Sequence, residues 1–260
     1  MTAVLIILGG LGYIVWWDVI RVIKTRTKRN RHIFRHLTLH SKIVITATAV
    51  LILVGAALIL TFEYSNPNTI GNMSLFEKIE ASLFQSVTTR TAGFASLPQE
   101  NLTNASATVS LILMVIGGSP VGTAGGIKTV TAVVLLCSAY ATVRNKNSAT
   151  LFGRRISEDS IKKSIAVVIT FTVICAISTI LLMATNDAPP LDQLYETVSA
   201  TATVGLSRNL TPTLNTVGKL IITVTMYLGR IGPITLAVAL GSKRECQNII
   251  SEPIEEISIG

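Results

Sequence analysis

The sequence predicts an all-α polytopic membrane protein. Its unit is a span, a short re-entrant pore helix, a filter-like loop and a second span. Three observations carry this. Several apolar runs are long enough to cross a bilayer, the basic residues fall in three blocks between those runs, and two short helical patterns each break into a Thr-x-Gly loop.

A hydrocarbon core about 30 Å thick takes about 20 helical residues. Met1 to Trp17 is apolar but slightly short, and ends in Trp16 and Trp17, which suit the membrane interface. Ile43 to Phe62 and Ser164 to Asn186 contain no ionisable group; Leu102 to Val143 is interrupted only at Lys128, and Leu220 to Ser242 carries only Arg230. With 49% of 260 residues hydrophobic, 14% charged and a mean hydropathy of +0.58, the chain has more apolar surface than a water-soluble domain buries, so its first partner is membrane lipid.

The net charge of +8 has a topological explanation. Arg21 to Lys42, Arg144 to Lys163, and Lys243 with Arg244 hold most of the basic residues, and the positive-inside rule places these connections in the cytoplasm. The intervening connections carry Glu63, Glu77, Glu80, Glu100, Asp187, Asp192 and Glu196 and face outward. The basic blocks lack interleaved aromatic residues, which argues against nucleic acid. Cys137, Cys175 and Cys246 show no metal-ligand spacing and read as structural thiols.

These boundaries divide the chain into residues 1–20, the inner half of an incomplete repeat unit; 21–42, a cytoplasmic connection; 43–143, a full unit; 144–163, a second connection; 164–242, a second full unit; and 243–260, a cytoplasmic tail. Within the full units, Leu75 to Thr89 and Leu191 to Ala202 have helical spacing but are too short to cross. They break into Thr91-Ala92-Gly93 and Thr203-Val204-Gly205, 112 residues apart. The same shift superposes Met114 on Met226 and Gly117 on Gly229, so the whole unit is duplicated. Ile7 to Gly12 resembles Val115 to Gly118, a partial third copy.

Irregular backbone cannot face lipid, so the Thr-x-Gly loops line a pathway or are buried in protein. Potassium filters replace the ion's water shell with backbone carbonyls, and glycine allows the torsions that turn successive carbonyls to one axis. The alternative is an outer turn needing glycine at positive φ. Arg90, beside the first loop, is expected to be structural or at the outer mouth, with Glu80 and Glu196 as partners.

Gly117-Gly118-Ser119-Pro120-Val121-Gly122-Thr123-Ala124-Gly125-Gly126 interrupts an uncharged stretch. Glycine costs about 1 kcal/mol and proline about 3 in a helix interior, so the span breaks inside the membrane. The break is read as a gate, with Ser119 and Thr123 hydroxyls able to meet an ion, or as a static kink for close packing. Gly126-Ile127-Lys128-Thr129 lacks the spacing and preceding strand of a phosphate loop. Arg230, aligned with Gly118 by the repeat, must face protein or water; it reads as a functional cation or an interhelical tie, and the hypothesis is that it bonds the loop's carbonyls and holds the pore shut. No HExxH, GxSxG or paired intramembrane carboxylate suggests an enzyme.

Thr88-Thr89-Arg90-Thr91-Ala92-Gly93-Phe94, Gly117 to Pro120, Thr123 to Thr129, Thr203 to Leu206 and Gly229-Arg230-Ile231-Gly232-Pro233 together resemble the Trk/Ktr/HKT potassium transporters, most closely KtrB-type subunits, over essentially the whole chain. The resemblance implies four such units around one pore. It gives Gly93 and Gly205 as filter glycines, Gly117 to Gly126 as the gate loop and Arg230 as its electrostatic latch. It further implies a homodimer of the full subunit and a cytoplasmic, nucleotide-binding KtrA-like regulatory partner. The transported ion is potassium, uptake is often sodium-stimulated, and no cofactor is required.

Two loops do not close a four-sided filter. The sequence is therefore expected to be a truncated subunit, with two assembled copies or a separately encoded upstream half as alternatives. A structural remnant without a pore is the rival reading, and a membrane-embedded enzyme a distant one.

Overall fold

The computed structural model describes residues 1–24, 33–120, 124–146 and 148–232. Among the described residues, two helices are long and apolar enough to cross a membrane: α4 (Leu39–Glu63) and α8 (Glu158–Thr185). Only 33% of the most apolar window of each is buried within the chain, so the remainder needs lipid or protein around it. Val50, Leu53, Val54 and Leu58 of α4, and Ile165, Ile169, Val173 and Ile180 of α8, make up exposed apolar faces.

The apolar start of the chain is two helices, α1 (Thr2–Gly10) and α2 (Tyr13–Lys24), bent by 89° at Leu11 and Gly12. Gly12 has φ +78°, a torsion that glycine adopts without steric cost and that turns the chain sharply. After the short α3 (Ile33–His36), α4 starts at Thr38, whose hydroxyl accepts the Ser41 N–H. The buried Asp18 carboxylate in the middle of α2 accepts both the N–H and the hydroxyl of Thr38, at 2.8 Å each, tying α2 to the start of α4.

The first full unit continues through α5 (Leu75–Thr88), a loop, a 3₁₀ turn at Gln99–Asn101, and α6 (Asn104–Val115). Ser74 and Glu77 form a capping box that fixes the start of α5, each satisfying an N–H that the first turn leaves over. The span resumes as α7 (Thr129–Val143). The second unit follows as α8, α9 (Pro190–Thr201), a 3₁₀ turn at Thr211–Thr213, and α10 (Thr216–Ile231), which ends at Gly232 with φ +90°. The expected span to Ser242 thus shows as helix only to Ile231; its remaining residues lie outside the described ones.

α5 packs on α4 and α1, whereas α9 packs on both α8 and α10, which also touch each other. The units join where α6 meets α9 and α7 meets α8. Their shared core contains Leu111, Met114, Ile127, Phe171, Tyr195, Val198 and Val204.

One element has no counterpart in the sequence reading. The second connection folds into a hairpin of β1 (Thr150–Leu151) and β2 (Arg154–Arg155), turned by Phe152 and Gly153, both at positive φ. Phe152 meets Phe34 edge-on with ring centroids 6.0 Å apart, which joins the two basic connections.

Candidate ion pathway

The two Thr-x-Gly loops have matching backbones. Thr91 and Thr203 have φ +67° and +54°, and Gly93 and Gly205 have φ +76° and +93°. A non-glycine residue in the left-handed region is uncommon, and its appearance at the same place in both copies marks a defined loop.

The loop N–H groups turn back to the short helices. Ala92 and Gly93 donate to the Thr88 carbonyl at 3.0 and 3.2 Å, Val204 to the Ser199 carbonyl at 2.8 Å, and Gly205 to Ser199 Oγ at 3.2 Å. Among the described residues, no hydrogen bond claims the carbonyls of Thr91, Ala92, Gly93, Thr203, Val204 or Gly205. The Thr91 and Thr203 hydroxyls are also buried there without a partner. Buried polar atoms are normally paired, so orphans at equivalent positions require a ligand or an explanation. Both loops follow the C-terminal, partially negative ends of helices, where a cation is favoured.

The loops meet each other. A Cβ on Gly93 would lie 2.2 Å from the Val204 carbonyl oxygen, and one on Gly205 would come within 4.0 Å of Gly93 Cα. A cavity of about 520 Å³ opens beside the second loop, lined by Thr203, Val204, Gly205, Ser199, Met226 and Arg230 among others.

The glycine-rich segment breaks the span as expected. α6 stops at Val115, and Ile116 and Ile127 form a parallel bridge: Gly117 N–H donates to the Ile127 carbonyl at 2.9 Å and Ile127 N–H to Val115 at 3.0 Å. Thr129 N–H bonds the Gly118 carbonyl at 3.1 Å, so the chain leaves and returns side by side. The excursion lies against the loops. A Cβ on Gly125 would come within 2.1 Å of Thr203 Oγ1, and one on Gly117 within 3.3 Å of Thr91 Cγ2. Ser119 N–H donates to the Gly10 carbonyl at 3.0 Å and its hydroxyl reaches Thr129 at 3.4 Å; Gly126 has φ +68°. Gly122 and Thr123 lie outside the described residues.

Of the two readings expected for Arg90 the structural one holds, with other partners than the glutamates. Arg90 is buried and reaches neither the outer mouth nor a glutamate: its guanidinium donates to the Gly117 carbonyl at 3.3 Å and to Thr48 Oγ1 at 3.5 Å. Glu196 instead accepts from Ser207 and Thr211. Lys128 Nζ donates to the Ala124 carbonyl. Arg230 borders the cavity beside the second loop, near enough for its charge to act on Lys128. Residue type and order had singled out Arg230, whereas the reach of Arg90 and Lys128 depended on folding.

Short helices and paired loops between apolar spans, with a broken span packed against both loops, define the fold of a polytopic membrane protein. Residues 1–250 match the TrkH family, cation transport proteins, and the chain belongs to that family. It is 40% identical over 245 residues to Ktr system potassium uptake protein B of Bacillus subtilis, an alignment covering 94% of this chain and 53% of that protein. It is 37% identical to the Vibrio alginolyticus protein of the same name, over 98% of this chain and 54% of the other. It is also 34% identical to the potassium/sodium uptake protein NtpJ of Enterococcus hirae, over 100% and 56%. The fold matches the potassium transporter TrkH from Vibrio parahaemolyticus with a TM-score of 0.72 at 16% identity, covering 93% of this chain and 51% of that one. The chain thus spans about half the length of the relatives it matches, and these relatives are ion transporters, not enzymes.

Proposed function

We propose that this chain supplies two strands of a potassium filter and the gate beneath it, in a system that takes potassium into the cell. The observation that carries the reading is the pair of matching loops, whose carbonyls have no protein donor among the described residues and whose threonine hydroxyls are unpartnered. Backbone carbonyls and hydroxyls replacing an ion's water shell are what potassium selectivity requires. The metal-binding positions are Thr91, Ala92, Gly93, Thr203, Val204 and Gly205.

Gly117, Gly118, Ser119, Gly122, Thr123, Gly125 and Gly126 form the gate loop, with Arg230 as its electrostatic latch. The loop's packing against Thr91 and Thr203 supports this placement, since a segment of small residues there bars the way onward from the filter. The remaining filter strands come from the sequence that fills the other half of the relatives' length, on the same or another polypeptide. Sodium stimulation, a homodimer of the full subunit and a cytoplasmic KtrA-like regulatory partner on the basic connections complete the proposal. The basic connections and the C-terminus face the cytoplasm.

No chemical step is needed. The membrane potential contributes about 2.3 kcal/mol per charge per 100 mV, enough for roughly fifty-fold accumulation of a monovalent cation. The test is rubidium uptake in cells lacking their own potassium uptake systems, with this chain alone, with a supplied upstream half, and with Gly205→Ser in each. Uptake that depends on the chain and falls or loses potassium preference with Gly205→Ser is the expected result. Absence of uptake throughout, with membrane expression confirmed, overturns the proposal.

A further inference from the structure

Arg90 is a buried cation with no carboxylate partner among the described residues. It is only 9% exposed and lies between the end of α5 and Thr91. Its partner Thr48 lies within α4, about 14 Å from that helix's inner end and about 22 Å from its outer end at about 1.5 Å per residue. The guanidinium therefore sits at membrane depth, where a charge is costly and marks function by default. Among the described residues no carboxylate pairs with it, and its Nε is buried without a partner.

Its other contact explains why a cation is kept there. In an unbroken helix the Gly117 carbonyl would accept the N–H four residues on; the break after Val115 removes that donor, and a buried carbonyl must find another. Arg90 supplies it, at 3.3 Å. The same side chain bonds Thr48, so one planar group with several donors joins α4, the first filter loop and the first residues of the break. Thr91, its neighbour in sequence, packs its methyl toward Gly117.

We infer that Arg90 is a positioning residue for the gate loop: it ties the filter arm of the first unit to the carbonyl at which the span breaks. Displacement of the Thr91–Gly93 backbone is then passed to Gly117 through a single side chain. The inference rests on the gate reading of Gly117 to Gly126, and concerns a residue outside that loop.

The test uses hydrogen exchange of the purified chain in lipid nanodiscs together with rubidium uptake by the transporting assembly. In Arg90→Gln, the amides of Gly117, Ile127 and Thr129, which stitch the break, exchange about tenfold faster while those of α8 are unchanged. Maximal uptake changes with KM held within about twofold, and Arg90→Lys restores most of the protection. Thr48→Val, which keeps the volume and removes one bond, gives a smaller increase in the same amides and serves if Arg90→Gln does not fold. Unchanged exchange at the break in both variants overturns the inference, as does a KM shift with the break still protected, which would make Arg90 a shaper of the filter alone. Exchange is read without transport, so absent uptake by the wild-type assembly counts against the transport proposal and leaves this one decided by the amides.

Discussion

The carboxylate of Glu63, at the C-terminal end of α4, accepts both the backbone N–H and the hydroxyl of Thr103, each at 2.8 Å. Thr103 is the N-cap of α6, so a fully buried acid on one span fixes the start of the next. The second unit repeats the tie with neutral groups, where Asn186 Oδ1 accepts the N–H of Asn215, the N-cap of α10, at 3.0 Å. Asp18, in the middle of α2, makes the same arrangement with Thr38, the N-cap of α4.

Glu63 also accepts from Asn66 and Thr69, so its removal orphans several buried donors at once. Glu63→Ala is expected to cost about 3 kcal/mol, in the range for breaking a buried charged network. Glu63→Gln, which keeps one acceptor, should cost about half as much. Thermal unfolding in detergent checks this, and equal loss in both variants would show that charge, not the acceptor count, matters.

Gly93 and Gly205, the two glycines of the proposed filter, should respond differently to a methyl group. Both have positive φ, which costs a residue with Cβ about 1–2 kcal/mol. Gly93→Ala additionally drives Cβ to 2.2 Å from the Val204 carbonyl, while a Cβ on Gly205 meets only Gly93 Cα at 4.0 Å, an ordinary contact. Rubidium uptake should therefore fall at least about tenfold further in Gly93→Ala, because a displaced carbonyl shifts the neighbouring strand by far more than the 1.4 kcal/mol that a factor of ten represents. Equal losses would contradict the close approach of the loops.

Thr91→Val and Thr203→Val separate folding from function. Each removes a buried hydroxyl without a partner among the described residues, so stability should stay level or rise by about 1 kcal/mol. Uptake or potassium-over-sodium preference should nevertheless drop, because an ion loses an oxygen. A loss of thermal stability in the uptake-deficient protein would instead assign these hydroxyls a structural bond.

Gly125→Ala would place Cβ 2.1 Å from Thr203 Oγ1 and 2.4 Å from the Ala202 carbonyl, against rigid neighbours. The loop has to move off the second filter strand, and ion leak in reconstituted vesicles should rise several-fold over wild type. Gly153→Ala, also at positive φ but with nothing within 4 Å, is the control: it should cost about 1 kcal/mol and leave the leak unchanged. Equal leak in both would remove the loop from the barrier.

Local patterns proved the most legible part of the sequence. The expected Leu75 to Thr89 and Leu191 to Ala202 correspond to α5 at Leu75–Thr88 and α9 at Pro190–Thr201, because apolar spacing, the Ser74 and Glu77 box and Pro190 act within a few residues. The break was legible for the same reason, since glycine and proline disfavour helix wherever they stand. Arg90 has the structural place that was one of its two expected readings, but its partners were not legible, because a long side chain can aim either way and its acceptor exists only after the chain folds back 27 residues later. The roles of Glu63 and Asp18 were missed likewise, with caps 40 and 20 residues away. The stretch from Met1 to Trp17 read as one short span although Gly12 was there to bend it; the hairpin's two-residue strands are too brief to alternate.

At the level where α6 gives way at Val115, the matching helix α10 runs a further turn to Ile231. Duplication thus left two near-equal loops but let the segments beyond them diverge. Under the proposed roles, selecting an ion and admitting it are written in separate stretches of chain, so descent could retune the opening of the pathway through the Gly117 to Gly126 segment without rewriting the residues that recognise the ion.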